Sequence, residues 1–256
     1  MKSNNIYVYS EHKSFMNDAQ NLAKHLNIGV IDNYDEMTTR LKDSLILRFS
    51  KEGLSLDSGH LSLREDYITM LPRVKADMWK HEILAKAAKF KNYDGPLRGI
   101  DATAGLGEDA LILAAAGFEM TLYEQDPVIA ALLKDAIRRG KKHPELKNIV
   151  SRMKVIEGNS IELMPKLLDE VELIYLDPMF PERQKSSLIK KKFQVLQKLE
   201  SPCMEEEELL NSAMKVHTRR IVIKRPAKGP FVANVKPDYS IDGTAIRYDC
   251  ISPWGQ

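Results

Sequence analysis

The sequence predicts an α/β protein: a mostly parallel, Rossmann-like sheet with helices on both faces, closed by an antiparallel hairpin and preceded by a small α+β domain. Three observations predict it. From Arg98 onward, short apolar runs alternate with helical patterns. The first of those runs opens into a glycine turn and then a helix, Asp101-Ala102-Thr103-Ala104-Gly105-Leu106-Gly107-Glu108-Asp109 followed by Ala110–Ala116. The chain closes on two strand-like runs around Asp242-Gly243.

In chain order, Ile6–Tyr9 reads as a strand, and Phe15, Ala19, Leu22, Ala23 and Leu26 follow at helical spacing. Val30-Ile31 reads as a second strand. Runs at 45–49, 54–56 and 61–63, separated by turns at Gly53 and Gly59, read as hairpins. Residues 1–75 are therefore expected to form the small domain and 76–256 the large one. The spacing of Met78, Ile83, Leu84, Ala87 and Ala88 predicts one amphipathic helix over 76–90. In the large domain, strands are expected at 99–102, 120–123, 154–156, 173–176 and 220–223. Helices are expected at 108–116, 127–139, 160–168 and 185–199, and the final hairpin at 239–241 and 245–251.

Composition narrows the class. A chain of 256 residues with 43% hydrophobic and 29% charged residues can bury a large core. The net charge of +2 points to no partner by itself. Cys203 and Cys250 lack metal-ligand spacing and read as reduced thiols, and the six histidines form no metal constellation. Met1-Lys2-Ser3-Asn4-Asn5 leads into mixed polar sequence, and no apolar run approaches the roughly 18 residues of a membrane span. A cytoplasmic protein without membrane contact or metal is expected.

The glycine loop is a nucleotide cradle. Gly105 and Gly107 let backbone approach a ligand, and the helix N-terminus offers unpaired N–H groups. Glu124, at the end of the next strand, is placed to accept hydrogen bonds from two ribose hydroxyls. NAD and S-adenosylmethionine both suit this pattern. Asp101, where a negative charge would face a cationic methionine end, favours S-adenosylmethionine. Asn159 and Ser160 would flank an adenine, and either residue also suits a helix N-cap.

The apolar run Leu173–Leu176 ends in Asp177-Pro178-Met179-Phe180-Pro181. The carboxyl ends of strands in open α/β sheets carry ligands, so Asp177 is expected to share a cleft with Gly105. A nucleobase amine is a poor nucleophile because its lone pair is delocalised. Asp177 and the Pro178 carbonyl can accept its N–H bonds, orient the lone pair, and let Asp177 take the released proton. Phe180 offers a face on which a base stacks. This order of motifs resembles the D/N-P-P-Y/F amino-methyltransferases, with Met179 in place of the second proline. A parallel sheet ending in an antiparallel hairpin is the class I methyltransferase pattern.

Residues 182–200 carry six basic and two acidic side chains, among them Lys185, Lys190, Lys191 and Lys192. Beside the Asp177 motif, these lysines are expected to contact phosphates, with Lys224 and Arg225 adding backbone contacts.

Taken together, D-A-T-A-G-L-G-x-D-A at 101–110, L-Y-E-Q-D-P-V-I-A-A-L-L at 122–133, Y-L-D-P-M-F-P-x-x-Q-K-S-x-L-x-K-K at 175–191 and V-I-K-R-P at 222–226 resemble the RsmJ (YhiQ) family. The resemblance implies a methyltransferase acting on the exocyclic N2 amine of a guanine in small-subunit (16S) ribosomal RNA. It also implies that Glu108, Asp109, Glu124, Gln125, Asn159, Ser160 and Asp177 occupy cofactor-contact positions. Gln125 and Asn159 depart from the residues other members often carry. The alternatives are an amino-methyltransferase of another nucleic-acid base, an NAD-dependent oxidoreductase using the same loop, and an RNA-binding protein without catalysis.

Overall fold

A computed structural model describes residues 6–34, 44–59, 61–167, 169–178 and 206–253. By contact, the described residues group into two compact units. One comprises residues up to 66 together with 126–139. The other comprises 67–125, 140–178 and 206–253.

The first unit is a five-stranded sheet of β1 (Ile6–Ser10), β2 (Gly29–Ile31), β3 (Leu45–Ser50), β4 (Gly53–Ser58) and β5 (Leu61–Leu63), in the order β2-β1-β3-β4-β5. β1 runs parallel to β2 and β3, and β4 and β5 continue antiparallel. Helix α1 (Met16–Leu26) links β1 to β2, burying Ala19 and Ala23. It ends at Asn27, which takes the left-handed conformation common at helix C-termini.

Helix Pro127–Gly140 matches its expected span but, over 126–139, groups with this first unit. Asp135 explains the attachment. Its Oδ2 accepts the buried Leu54 N–H at 3.0 Å and the Arg139 Nε–H at 2.7 Å, and Arg139 also donates to the Glu65 carbonyl.

The second unit holds a seven-stranded sheet. Its strands are β6 (Arg98–Asp101), β7 (Glu119–Glu124), β8 (Met153–Glu157), β9 (Val171–Leu176), β10 (Thr218–Pro226), β11 (Tyr239–Asp242) and β12 (Ile246–Ile251). The order is β11-β12-β10-β9-β6-β7-β8. The five strands from β10 to β8 are parallel, and β12 returns antiparallel to both β10 and β11. Each expected strand and the closing hairpin are present. β9 is buried along both faces, which accounts for its continuous apolar sequence. Ile100, Ile174, Leu176, Ile221 and Ile223 form the core with Leu209, Leu210 and Ala213 of helix Glu206–Met214.

Two helices are shorter than expected. The 76–90 segment is a 3-10 turn at Met78–His81 and a short helix at Ile83–Ala88, divided by an extended Glu82. Glu82 is held there by two N–H donors of Arg73, Nε at 2.8 Å and Nη2 at 2.7 Å. The 160–168 segment is helical over Ser160–Leu163 and then becomes a 3-10 turn at Met164–Lys166, where Pro165 removes an N–H. The expected basic helix at 185–199 lies outside the described residues.

Candidate active site

The glycine loop is fixed from both sides by strand ends. The Ala102 N–H donates to the Tyr175 carbonyl on β9, and the Ala104 N–H donates to the Tyr123 carbonyl on β7. Gly105 N–H donates to Glu124 Oε2 at 2.9 Å. Gly105 has φ +52, and open space lies where a Cβ would project. A side chain would therefore strain the turn and fill the cradle. Gly107, at φ 77, caps helix Glu108–Ala115 without a side-chain cap, and a helix start of this kind carries N–H groups and a positive dipole end suited to an anion or dipole.

Asp177 meets this loop directly. Its backbone N–H donates to Thr103 Oγ1 at 2.7 Å, joining the end of β9 to the turn after β6. Lys224 enters from β10. Its Nζ lies 2.6 Å from Asp109 Oδ2 and 3.0 Å from Asp177 Oδ2. Tyr175, two residues before Asp177 and so on the same face of the strand, donates its hydroxyl to Asp109 Oδ2 at 2.6 Å.

Charge is unevenly balanced in this cluster. Burial favours a neutral Lys224, but Asp109 and Asp177 outweigh it and raise its pKa. Burial likewise opposes ionisation of Asp109, yet Lys224 and the Tyr175 hydroxyl hold it below the usual carboxylate range. Asp101 behaves differently. It is 1% exposed, and burial raises its pKa well above the usual range, with the charges of Asp109 and Asp177 adding to the effect. The Thr103 N–H, at 3.1 Å, opposes that rise only in part. One lysine thus faces three carboxyl groups, and a cationic ligand group near Asp101 would relieve the imbalance.

The structure brings Asp101, Gly105, Gly107, Asp109, Glu124 and Asp177 to one edge of the sheet. Glu108 is half-buried beside them in the first turn of the helix. Glu124 is largely buried, with one oxygen engaged by Gly105. Gln125 is exposed just past β7. Asn159 is the N-cap of the helix that begins at the buried Ser160, its Oδ1 accepting the Ile161 N–H at 2.9 Å. Pro178 is buried next to Asp177, whereas Phe180, Lys185, Lys190, Lys191 and Lys192 lie outside the described residues.

Two expected backbone contacts are corrected. Lys224 points into the cleft as the counter-ion of Asp109 and Asp177. Arg225, on the opposite face of β10, has a side chain only 1% exposed and donates to Glu206 Oε1 and the Pro230 carbonyl. Adjacent strand residues face opposite ways, so Lys224 and Arg225 could not share one surface. Thr103 and Tyr175 were not singled out by sequence. The period of two along β9 is the signal that pairs Tyr175 with Asp177.

A mostly parallel seven-stranded sheet, a glycine turn after its first strand, a carboxylate at the end of its second and Asp-Pro at the end of its fourth define a class I S-adenosylmethionine-dependent methyltransferase fold. Residues 31–253 match the SAM-dependent methyltransferase family model, and the chain belongs to that family. S-adenosylmethionine is the cofactor this membership carries, and the open turn at Gly105, the uncapped helix and the under-neutralised Asp101 fit it.

A SAM-dependent methyltransferase of Neisseria gonorrhoeae has a crystal structure similar to this chain, with a TM-score of 0.75 and 26% identity, covering 98% of this chain and 97% of that one. The RsmJ resemblance is borne out by curated relatives. Ribosomal RNA small subunit methyltransferase J of Pseudomonas syringae pv. tomato is 45% identical over 151 residues, 59% of this chain and 56% of the relative. The Pseudomonas aeruginosa PAO1 protein of that name is 41% identical over 169 residues, 66% of this chain and 64% of the relative. The matches thus span less than two thirds of these relatives' length. Among the described residues, no helix is long and apolar enough to cross a membrane, and no cluster of His, Cys, Asp and Glu is placed to hold a metal ion.

Proposed function

We propose that this protein methylates the exocyclic N2 amine of a guanosine in 16S ribosomal RNA, in the cytoplasm. The observation that supports the reading is the hydrogen bond from the Asp177 N–H to Thr103 Oγ1, which joins the motif expected to accept the amine to the loop expected to hold the cofactor. The names of the curated relatives support ribosomal RNA as the substrate.

Residues 101–109, Glu124, Gln125, Asn159 and Ser160 would hold S-adenosylmethionine, with Glu124 on the ribose and Asp101 facing the cationic end. When bound, it supplies an electrophilic methyl group on a positively charged sulfur. Asp177 and the Pro178 carbonyl accept the N–H bonds of the incoming amine and orient its lone pair. Positive charge then grows on the amine nitrogen, and the Asp177 carboxylate stabilises it and accepts the proton. Lys224, with its Nζ 3.0 Å from Asp177 Oδ2, sets a positive charge beside that carboxylate. Phe180 supplies a stacking face, and Lys185, Lys190, Lys191 and Lys192 supply phosphate contacts.

The test is transfer of a labelled methyl group to small-subunit rRNA from cells lacking this protein, followed by mass mapping of the product. One new methyl on a guanosine N2 is expected. Methyl groups on DNA alone, or on a ring nitrogen, would refute the assignment.

A further inference from the structure

The five-stranded unit has its own concave site. The chain leaves the carboxyl end of β1 toward β2 and the carboxyl end of β3 toward β4, on opposite sides. Such divergence opens a crevice at the strand ends, where open α/β sheets take ligands. A pocket of about 310 Å³ lies there, lined by Tyr9, Glu11, Asp32, Asn33, Tyr34 and Arg48. That volume is at the small end for ligand sites, enough for one flat ring system.

We propose that this pocket binds one unstacked nucleobase bearing an exocyclic amine, within single-stranded RNA. The proposal takes its polymer from the ribosomal reading above and its base preference from the pocket. Three observations carry it.

The walls are flat and held in place. The rings of Tyr9 and Tyr34 are 5.2 Å apart and inclined at 45°, and the Arg48 guanidinium lies 5.9 Å from the Tyr34 ring centre. Arg48 is held by Asp57 at 2.6 Å and Glu11 at 2.5 Å, and Tyr34 by Asp57 at 2.9 Å. Tyrosine and guanidinium planes are the surfaces on which splayed-out bases stack.

The rim is built to accept hydrogen bonds. Glu11 and Asp32 are exposed, and Asp32 has no hydrogen-bond or ion-pair partner among the described residues. Carboxylates accept from base amines, as they do from the cytosine N4 group. Uracil has no amine and would turn carbonyls toward them.

The charge rejects the other ligand classes. The Asp32 and Glu11 carboxylates at the rim disfavour a phosphate inside the pocket, so the base enters and the RNA backbone stays outside. The seat for a cation beside Tyr34 is already taken by the protein's own Arg48, so a lysine-rich peptide would meet a like charge.

The test uses the full chain and fluorescein-labelled ten-nucleotide RNAs of adenine, cytosine or uracil, read by anisotropy. The adenine and cytosine oligomers should bind at least about fivefold more tightly than uracil. Tyr9→Leu should weaken both about tenfold, within the range that loss of one stacking side chain produces. Asp32→Asn, an exposed change that leaves the fold alone, should erase the preference against uracil. Equal affinity for uracil, indifference to both variants, or preference for a polylysine peptide would overturn the proposal. Methyl transfer to undermethylated small-subunit rRNA is measured in parallel. Base preference without transfer sinks the ribosomal reading and keeps the pocket. Transfer with indifferent variants does the reverse.

Discussion

Each unit sets one cation among carboxylates and tyrosines, and the two clusters use their carboxylates differently. In the five-stranded unit, Asp57 is 3% exposed and accepts from Arg48 Nε at 2.6 Å, the Tyr34 hydroxyl at 2.9 Å and the Ser62 hydroxyl at 2.5 Å. Three donors nearly exhaust a carboxylate's useful lone pairs. Asp57 is therefore a wall-builder: it fixes Arg48 and Tyr34 and has little left for a ligand. In the seven-stranded unit, Asp109 and Asp177 share Lys224, with side chains 19% and 16% exposed, and the Arg73 charge also reaches Asp109. Asp101 behind them is driven toward its neutral form. A saturated carboxylate makes structure, whereas a group of carboxylates short of positive charge makes a site for a cation or an amine.

The largest expected effect tests the second cluster. Asp177→Ala should lower methyl transfer about 10²–10⁴-fold, the range for losing a positioned proton acceptor, with little change in melting temperature. A rate within threefold of the parent would remove Asp177 from the chemistry. Asp57→Ala should show the opposite profile. Breaking a buried, multiply bonded ion pair costs about 3 kcal/mol, read as a shift in the urea midpoint. If it shifted nothing, the distinction between wall and site would fail.

A smaller effect is expected at Asp135. Asp135→Ala leaves the buried Leu54 N–H unsatisfied and should cost about 2 kcal/mol in the same measurement.

The finest test is Asp101→Asn. The amide cannot meet a sulfonium with charge, so calorimetry should show S-adenosylmethionine weakened about tenfold and its neutral thioether product weakened less. The pH dependence separates Asp101 from Asp109. The folded pKa of Asp109 lies below its unfolded value, so its stabilisation is present above about pH 4 and is lost as pH falls through the folded value. The folded pKa of Asp101 lies above its unfolded value, so its contribution is full at low pH and is lost as pH rises through the folded value. Urea titrations across acid pH should therefore show a shallower alkaline-side loss in Asp101→Asn and an unchanged acid-side loss.

Most of the sheet was legible in the sequence because its strands are short apolar runs with one dominant burial pattern, as β9 illustrates. The Gly105, Glu124 and Asp177 positions were legible because each marks a strand's carboxyl end. What sequence could not show depends on side chains meeting across the chain. Nothing local to Glu82 says that Arg73 will pin it and break the 76–90 helix. The period of helix 127–140 gives an apolar face but not the unit that face joins, which Asp135 and Leu54 reveal only in three dimensions. Lys224 and Arg225 read as one basic patch until strand alternation is applied to them.

The route of the chain through helix 127–140 has a consequence for how such a protein can evolve. The polypeptide leaves the seven-stranded unit after Gln125, contributes a helix to the other unit, and returns at Gly140. The first unit is thus not a bead on the N-terminal end of the chain, and it cannot be gained, lost or exchanged by one recombination event near residue 66. A swap at that point would strip the helix of Leu54 and Glu65 and leave Asp135 and Arg139 without those partners. Inheritance should keep the two units together as one piece, with changes in Gly53–Leu54 tracked by changes in Asp135 and Arg139.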